Sequence, residues 1–306
     1  MQPDHCSKTA MGTAFMRAYH AAHDHPKIFD DFWAHRLITA SEYQIIEERQ
    51  LKMFRSADLE RASRYPDRAS ALAGWMQSGA SQPIVLARAR YAEGHLEQAV
   101  RQQGVKQYVI LGAGMDTFAY RRPDLLAHLQ VFEVDHPATQ SFKRQRLRQI
   151  AGEPPVRLHF VPVDLEQEDL AAALRRSPFD LLALSFFSWL GVTYYLTREA
   201  VSATLQAIVE IAPKGSAVIF DYLDFEAFVP EKAARRVQIM VEFVRRLGEP
   251  MLTGFEPASL AADLAGLGFH LQENLSPVDI QGRFFMGRTD GYRACEHAHF
   301  AWAIVA

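Results

Sequence analysis

Cysteine is nearly absent. Cys6 and Cys295 are the two in 306 residues, too few for a disulfide framework or a set of zinc ligands. There is no basic excess either: a formal net charge of −3 gives little to hold a phosphate backbone, which argues against nucleic acid as the main partner. The longest apolar stretch, Leu181 to Leu196, is interrupted by Ser185, Ser188 and Thr193. It falls short of the ~20 residues that a membrane-spanning helix needs and reads as a buried strand with its following loop. Met1 to Cys6 show no basic segment leading into an apolar one, so no leader peptide is expected. Repeats and low-complexity segments are missing too. These absences point to a cytoplasmic, soluble protein without a membrane or nucleic-acid partner. With 49% hydrophobic and 23% charged residues, the chain suits one large α/β domain with a modest appendage.

What is present centres on Val109-Ile110-Leu111-Gly112-Ala113-Gly114-Met115-Asp116-Thr117, followed about twenty residues later by Glu133 and Asp135. An apolar run, two glycines and a later acid read as strand, tight turn, helix and second strand, the first βαβ unit of a doubly wound nucleotide-binding domain. A dinucleotide fold would place a third glycine or alanine where Thr117 stands, and Asp116 beside it would repel a diphosphate at a helix N-terminus. A ligand with an adenosine, no phosphate and a cationic end fits better. S-adenosyl-L-methionine has all three.

Residues 8–100 carry helical spacing: Ala14, Phe15, Ala18 and Tyr19, then Phe29, Phe32, Trp33 and Leu37, then Leu72, Trp75 and Met76. From about residue 105 strands and helices alternate. Strands are expected at 107–111, 130–134, 158–163, 179–184, 216–222, 269–275 and 299–305, and helices at 138–150, 168–175, 197–211, 230–247 and 257–267. The fold class is therefore α/β, a doubly wound, mostly parallel seven-stranded sheet with an N-terminal helical cap. The cap is taken as residues 1–100 and the cofactor-binding domain as 101–306, forming one cooperative unit.

Ligands of such sheets bind at the carboxyl ends of the strands. After the first strand come Gly112, Ala113 and Gly114, open enough for a methionine moiety to lie against the backbone, with Asp116 just beyond. After the second comes Asp135, placed to accept from both ribose hydroxyls, with Glu133 on the same face. After the third come Asp164, which can accept from the adenine amino group, and Leu165, whose amide can donate to a ring nitrogen.

These segments resemble the leucine carboxyl methyltransferase family, and more closely its bacterial branch of S-adenosyl-L-methionine-dependent O-methyltransferases. Ile28-Phe29-Asp30-Asp31 is similar to the family's N-terminal cap. Ala87-Arg88-Ala89-Arg90-Tyr91 looks like its arginine motif, and Leu111 to Thr117 like its glycine loop. Phe132-Glu133-Val134-Asp135-His136-Pro137 with Lys143 and Arg144, the stretch Phe186 to Thr197, and Gly287-Arg288-Thr289-Asp290-Gly291 match further blocks. The resemblance implies Gly112 against the cofactor, Asp135 on its ribose, and Asp164 with Leu165 on its adenine. It also implies Arg90 on its carboxylate, a role suited to a planar, permanently charged donor; Arg88 is the fallback. Two positions depart from the pattern. Ile110 stands where many methyltransferases carry an acid, and Leu190 where protein-methylating members carry a glutamate, which puts a protein C-terminal carboxylate in doubt as substrate.

A carboxylate acceptor is ionised at neutral pH and needs no general base, whereas a phenol or alcohol does. His20, His23, His25, His136, His270, His297 and His299 fall in no recognisable catalytic motif, and the alternation of Cys295, His297 and His299 lacks a clear fourth metal ligand. No metal is expected. Methylation of a small-molecule carboxylate, on a polyketide or other acidic metabolite, is the preferred reading, with Phe29, Phe32 and Trp33 as an apolar lid. Tyr195 and Tyr222 are candidates for substrate contact, and Arg283 for holding an acidic substrate. Trp189 reads as core. Hydroxyl methylation, an S-adenosylmethionine-sensing module and an NAD-dependent oxidoreductase are the alternatives. The acceptor, the oligomeric state and the pathway are left open by the sequence.

Overall fold

The computed structural model describes residues 6–306; residues 1–5, most of the stretch searched for a leader, lie outside the described residues. Among the described residues five α-helices precede the sheet: α1 (Lys8–His23), α2 (Ala40–Ala57), α3 (Leu59–Ser63), α4 (Arg68–Ser78) and α5 (Ser81–Gln98). Their starts are written in the chain. Ser7 caps α1 by accepting the Ala10 N–H, and Thr39 and Glu42 form a reciprocal capping box on α2.

The sheet follows with β1 (Gln107–Leu111), α6 (Phe118–Arg121), α7 (Pro123–Leu126), β2 (Gln130–Asp135), α8 (Pro137–Ala151), β3 (Leu158–Pro162) and α9 (Leu170–Arg175). It continues through β4 (Ser185–Trp189), α10 (Arg198–Ile211), β5 (Ala217–Leu223), α11 (Arg235–Arg246), α12 (Leu260–Gly266), β6 (Phe269–Leu275), α13 (Pro277–Ile280) and β7 (Ala298–Val305). Strand order is β3-β2-β1-β4-β5-β7-β6, with β7 antiparallel to both neighbours and the other pairs parallel. The order reverses between β1 and β4, and a crevice opens there at the strand ends.

Strand alternation separates two cores. Tyr108 and Ile110 of β1 and Phe186 of β4 face one side, whereas Val109, Leu111, Phe187 and Trp189 face the other. Helix α5 packs Leu86, Ala87 and Leu96 into the first of these cores. A third cluster joins Phe15, Trp33, Leu37, Leu51 and Met76 of the helical region to Met115 of the glycine loop. Each fully buried Phe of this kind contributes about 1.5–3 kcal/mol, which fastens the cap to the sheet.

The fourth strand lies later than the sequence places it. Residues 179–184 form no strand, and Leu182 is 88% exposed. The true β4 contains Ser185 and Ser188, which break the apolar pattern yet are buried. Gln107 Nε2 donates to Ser185 Oγ at 2.9 Å, and the Ser188 and Tyr108 hydroxyls meet at 2.8 Å. Among the described residues no helix is long and apolar enough to cross a membrane.

Candidate active site

The turn after β1 is built on two glycines in the left-handed region, Gly112 at φ +65° and Gly114 at φ +48°. A Cβ on Gly112 would also lie 2.3 Å from Val192 Cγ2. The Gly112 and Ala113 amides donate to Val134 O at 2.8 and 3.1 Å, tying the turn to the end of β2. Asp135, the last residue of β2, accepts from the Gly114 amide on one oxygen and from the His136 amide at 2.7 Å on the other. Burial raises its pKa, and these two N–H groups work against that rise. Asp116 accepts the Phe118 N–H at 2.7 Å. Beyond β3, Asp164 accepts from Glu166 N and Gln167 Nε2, both at 3.0 Å, which curls the loop carrying Leu165.

The cap is bonded to this turn through Asp31, a residue the sequence reading left out of the site. Asp31 is buried and accepts from Thr117 Oγ1 at 2.7 Å and Arg17 Nε at 2.8 Å, while Arg17 also donates to Met115 O at 2.6 Å. Burial opposes the charge of Asp31, but Arg17 and Arg121 hold its pKa below the ordinary value.

Arg88 is the buried arginine of α5, 7% exposed. Its Nη1 donates to Tyr194 Oη at 2.8 Å and to Asp221 Oδ2 at 2.9 Å, and Asp221 Oδ1 accepts the Gly191 N–H at 2.6 Å. Burial opposes the charge of Arg88, but Asp221 outweighs it and holds the pKa above its ordinary value. Gly191 (φ +75°) is held to glycine twice over, because a Cβ there would lie 2.2 Å from Arg88 Nη2.

A cavity of about 540 Å³ opens among these elements. Gly112, Ala113, Gly114, Asp116, Asp135, Asp164, Leu165, Tyr195 and Arg88 all face it, together with Ile46 and Arg49 from α2 and Met240, Phe243 and Val244 from α11. Glu249 closes one side. It accepts from the Lys8 N–H at 2.7 Å, the Thr9 N–H at 3.1 Å and Ser7 Oγ at 3.0 Å, clasping the start of α1. No local sequence signal marks this clasp, since its partners are some 240 residues apart.

Six sequence candidates fall elsewhere. Arg90 is exposed and off the cavity; two residues along a helix turn a side chain away by about 200°, so Arg88 takes the inner face. Glu133 is 1% exposed and turned from the cavity onto Lys143 Nζ at 2.5 Å; burial raises its pKa to about 7. Tyr222 is fully buried, stacked on His299 and donating to Asn274 Oδ1 at 2.9 Å. Arg283 pairs with Glu273 at 2.9 Å on the surface. Of the expected lid only Phe29 lines the cavity: Trp33 packs against Tyr120 and Phe32 points to solvent. Trp189 is fully buried in the second core. His297 and His299 both turn to Asp224, at 2.8 and 3.4 Å, and among the described residues no three potential ligands gather as a metal site.

The family model described as leucine carboxyl methyltransferase matches residues 10–209, from α1 into α10. The chain belongs to the leucine carboxyl methyltransferase family. It is 38% identical over 304 residues, 99% of each chain, to the Bacillus subtilis protein named "Putative S-adenosyl-L-methionine-dependent methyltransferase YktD". Among solved structures, a DUF574 family protein from Streptomyces avermitilis shares the fold at TM-score 0.54 and 14% identity, over 84% of this chain and 97% of that one. A protein from Thermobifida fusca does so at TM-score 0.54 and 13% identity, over 83% and 94%. This leucine carboxyl methyltransferase family member is thus an S-adenosyl-L-methionine-dependent enzyme on a class I methyltransferase fold.

Proposed function

We propose that the enzyme methylates a carboxylate of a small acidic molecule, with the cofactor's ribose on Asp135, its adenine beside Asp164 and Leu165, and its methionine moiety along Gly112 to Gly114. Arg88 takes the cofactor's carboxylate in place of Arg90. When bound, S-adenosylmethionine supplies an electrophilic methyl group on a sulfonium. The glycine turn and the fork of Arg88 fit such a ligand: one has no side chain to obstruct it, and the other gives a permanently charged donor in a buried setting.

The observation that carries the carboxylate assignment is that the lining's acids are engaged and its imidazoles few: Asp31, Asp116, Asp135, Asp164 and Glu166 each accept a hydrogen bond from a neighbouring group. Among the described lining residues His136 is the one imidazole. It lies beside Asp135, at the adenosine end, with Nδ1 accepting the Ala138 N–H at 3.3 Å. The phenols of Tyr108, Tyr194 and Tyr195 are all pushed by burial above their ordinary pKa, so they stay protonated. Glu93 is paired with Arg121 and Arg122, and Glu249 is held by the α1 clasp. A nucleophile that arrives ionised needs none of them. The protein then contributes alignment and exclusion of water. Arg49 lines the cavity with no ion-pair partner among the described residues, a charge that draws in an acid.

The test is an acceptor screen read by mass spectrometry, with each product treated with alkali. A carboxylate acceptor gives a methyl ester that alkali cleaves; an alkali-stable methyl ether would overturn the assignment.

A further inference from the structure

A second cavity of about 470 Å³ adjoins the first, and Met16, Gln50, Ser81 and Met240 line both. Two of these four are methionines, flexible side chains that re-pack around what passes between them. One wall of the second cavity is apolar, made by Met53, Phe54, Trp75, Met76 and Ile239, and Gln50, Ser78 and Gln82 line it as well. Its rim is charged. Arg61, Arg235, Arg236 and Arg293 stand there against Asp58 and Glu296.

The two carboxylates are already engaged. Glu296 binds Arg236 at 2.8 Å with Arg293 at 4.0 Å, and Asp58 accepts the backbone N–H of Arg61 at 3.0 Å as the cap of α3. The guanidiniums of Arg61 and Arg235 meet only backbone carbonyls as hydrogen-bond partners among the described residues, Gly74 O at 3.5 Å and Ala57 O at 3.0 Å. Two exposed forks without a carboxylate, on a chamber with one apolar wall that shares lining residues with the first cavity, suit an anion at the end of an apolar chain.

We propose that the acceptor is an elongated acid that runs between Met16 and Met240 into the second cavity, where Arg61 and Arg235 bind a second anionic group, carboxylate or phosphate, at its far end. This rests on the reading of the first cavity as the site of a carboxylate acceptor. The second cavity then sets substrate length and end-group, while the first sets the chemistry.

The experiment uses the full chain saturated with S-adenosylhomocysteine and reads binding by calorimetry. The probes are straight-chain α,ω-dicarboxylates of increasing length, monocarboxylates of the same lengths, and acids carrying a distal phosphate monoester. Beyond a threshold length the doubly anionic probes bind about tenfold tighter than the monoacids, and the stronger of the two series identifies the end-group. The double variant Arg61→Gln/Arg235→Gln, both sites exposed, abolishes that advantage and leaves monoacid affinity unchanged. Equal affinity of mono- and dianions at every length, or an advantage that survives in the double variant, overturns the proposal. If the advantage is lost in the variant as expected but no methyl ester forms from the same probes, the anion site stands and the carboxylate chemistry falls.

Discussion

The carboxylate of Asp135, at the end of β2, accepts the backbone N–H of Gly114 in the turn after β1. One side chain therefore shapes the glycine turn and faces the cavity beside it. Asp135→Ala is expected to weaken S-adenosylhomocysteine binding about tenfold or more, since each charge-assisted hydrogen bond contributes about 1.5–3 kcal/mol. Glu133→Gln, which changes a side chain turned onto Lys143, leaves that affinity unaltered. Calorimetry on variants with native circular dichroism checks both. Full affinity in Asp135→Ala would remove it from the ribose site.

Arg88 and Arg90 separate in the same assay. Arg88→Lys keeps a charge opposite Asp221 but loses the planar fork, and cofactor affinity falls about tenfold. Arg90→Ala leaves it within about twofold, because that side chain is exposed and off the cavity. The reverse order would restore Arg90 to the site.

Lys143→Met is expected to show a stability deficit that grows with pH. In the folded protein burial lifts the Glu133 pKa from 4.5 to about 7, with Lys143 opposing the rise. A raised pKa stabilises the fold fully below the unfolded value, and that contribution is lost as pH climbs through the folded one. Without Lys143 the ionised, buried Glu133 has lost its counter-charge. The deficit reaches about 3–5 kcal/mol near pH 8 and shrinks toward pH 5, where Glu133 takes up a proton. Urea unfolding at the two pH values measures it; an equal deficit at both would contradict the buried-pair account.

Much of the scaffold is legible in the chain. The strands at 107–111 and 269–275 lie where alternation places them, and Asp135 at the end of β2 and Asp164 after β3 both reach the cavity. The misplaced fourth strand shows why legibility ends. Leu181 to Leu184 look like a strand because apolar residues usually lie inside, whereas the real β4 buries two serines whose partners, Gln107 and Tyr108, come from the neighbouring strand. The choice between Arg88 and Arg90 depends on helix phase, and Asp221, the partner that decides it, is 133 residues away. Tyr222 and Arg283 suggest substrate contact by residue type alone. Their partners, Asn274 and Glu273, both belong to β6, which flanks β7 far from the switch between β1 and β4.

The central claim, transfer to an acceptor that arrives ionised, is tested most directly by the pH profile of single-turnover methyl transfer, in which product release cannot mask the chemistry. A carboxylate with a pKa of about 4 is fully ionised from about pH 6 to 9 and needs no base from the lining, so the rate is expected to be flat across that range. A rate that climbs with pH across that range, with the ascending limb removed by His136→Asn, would instead mean a hydroxyl acceptor activated by an imidazole.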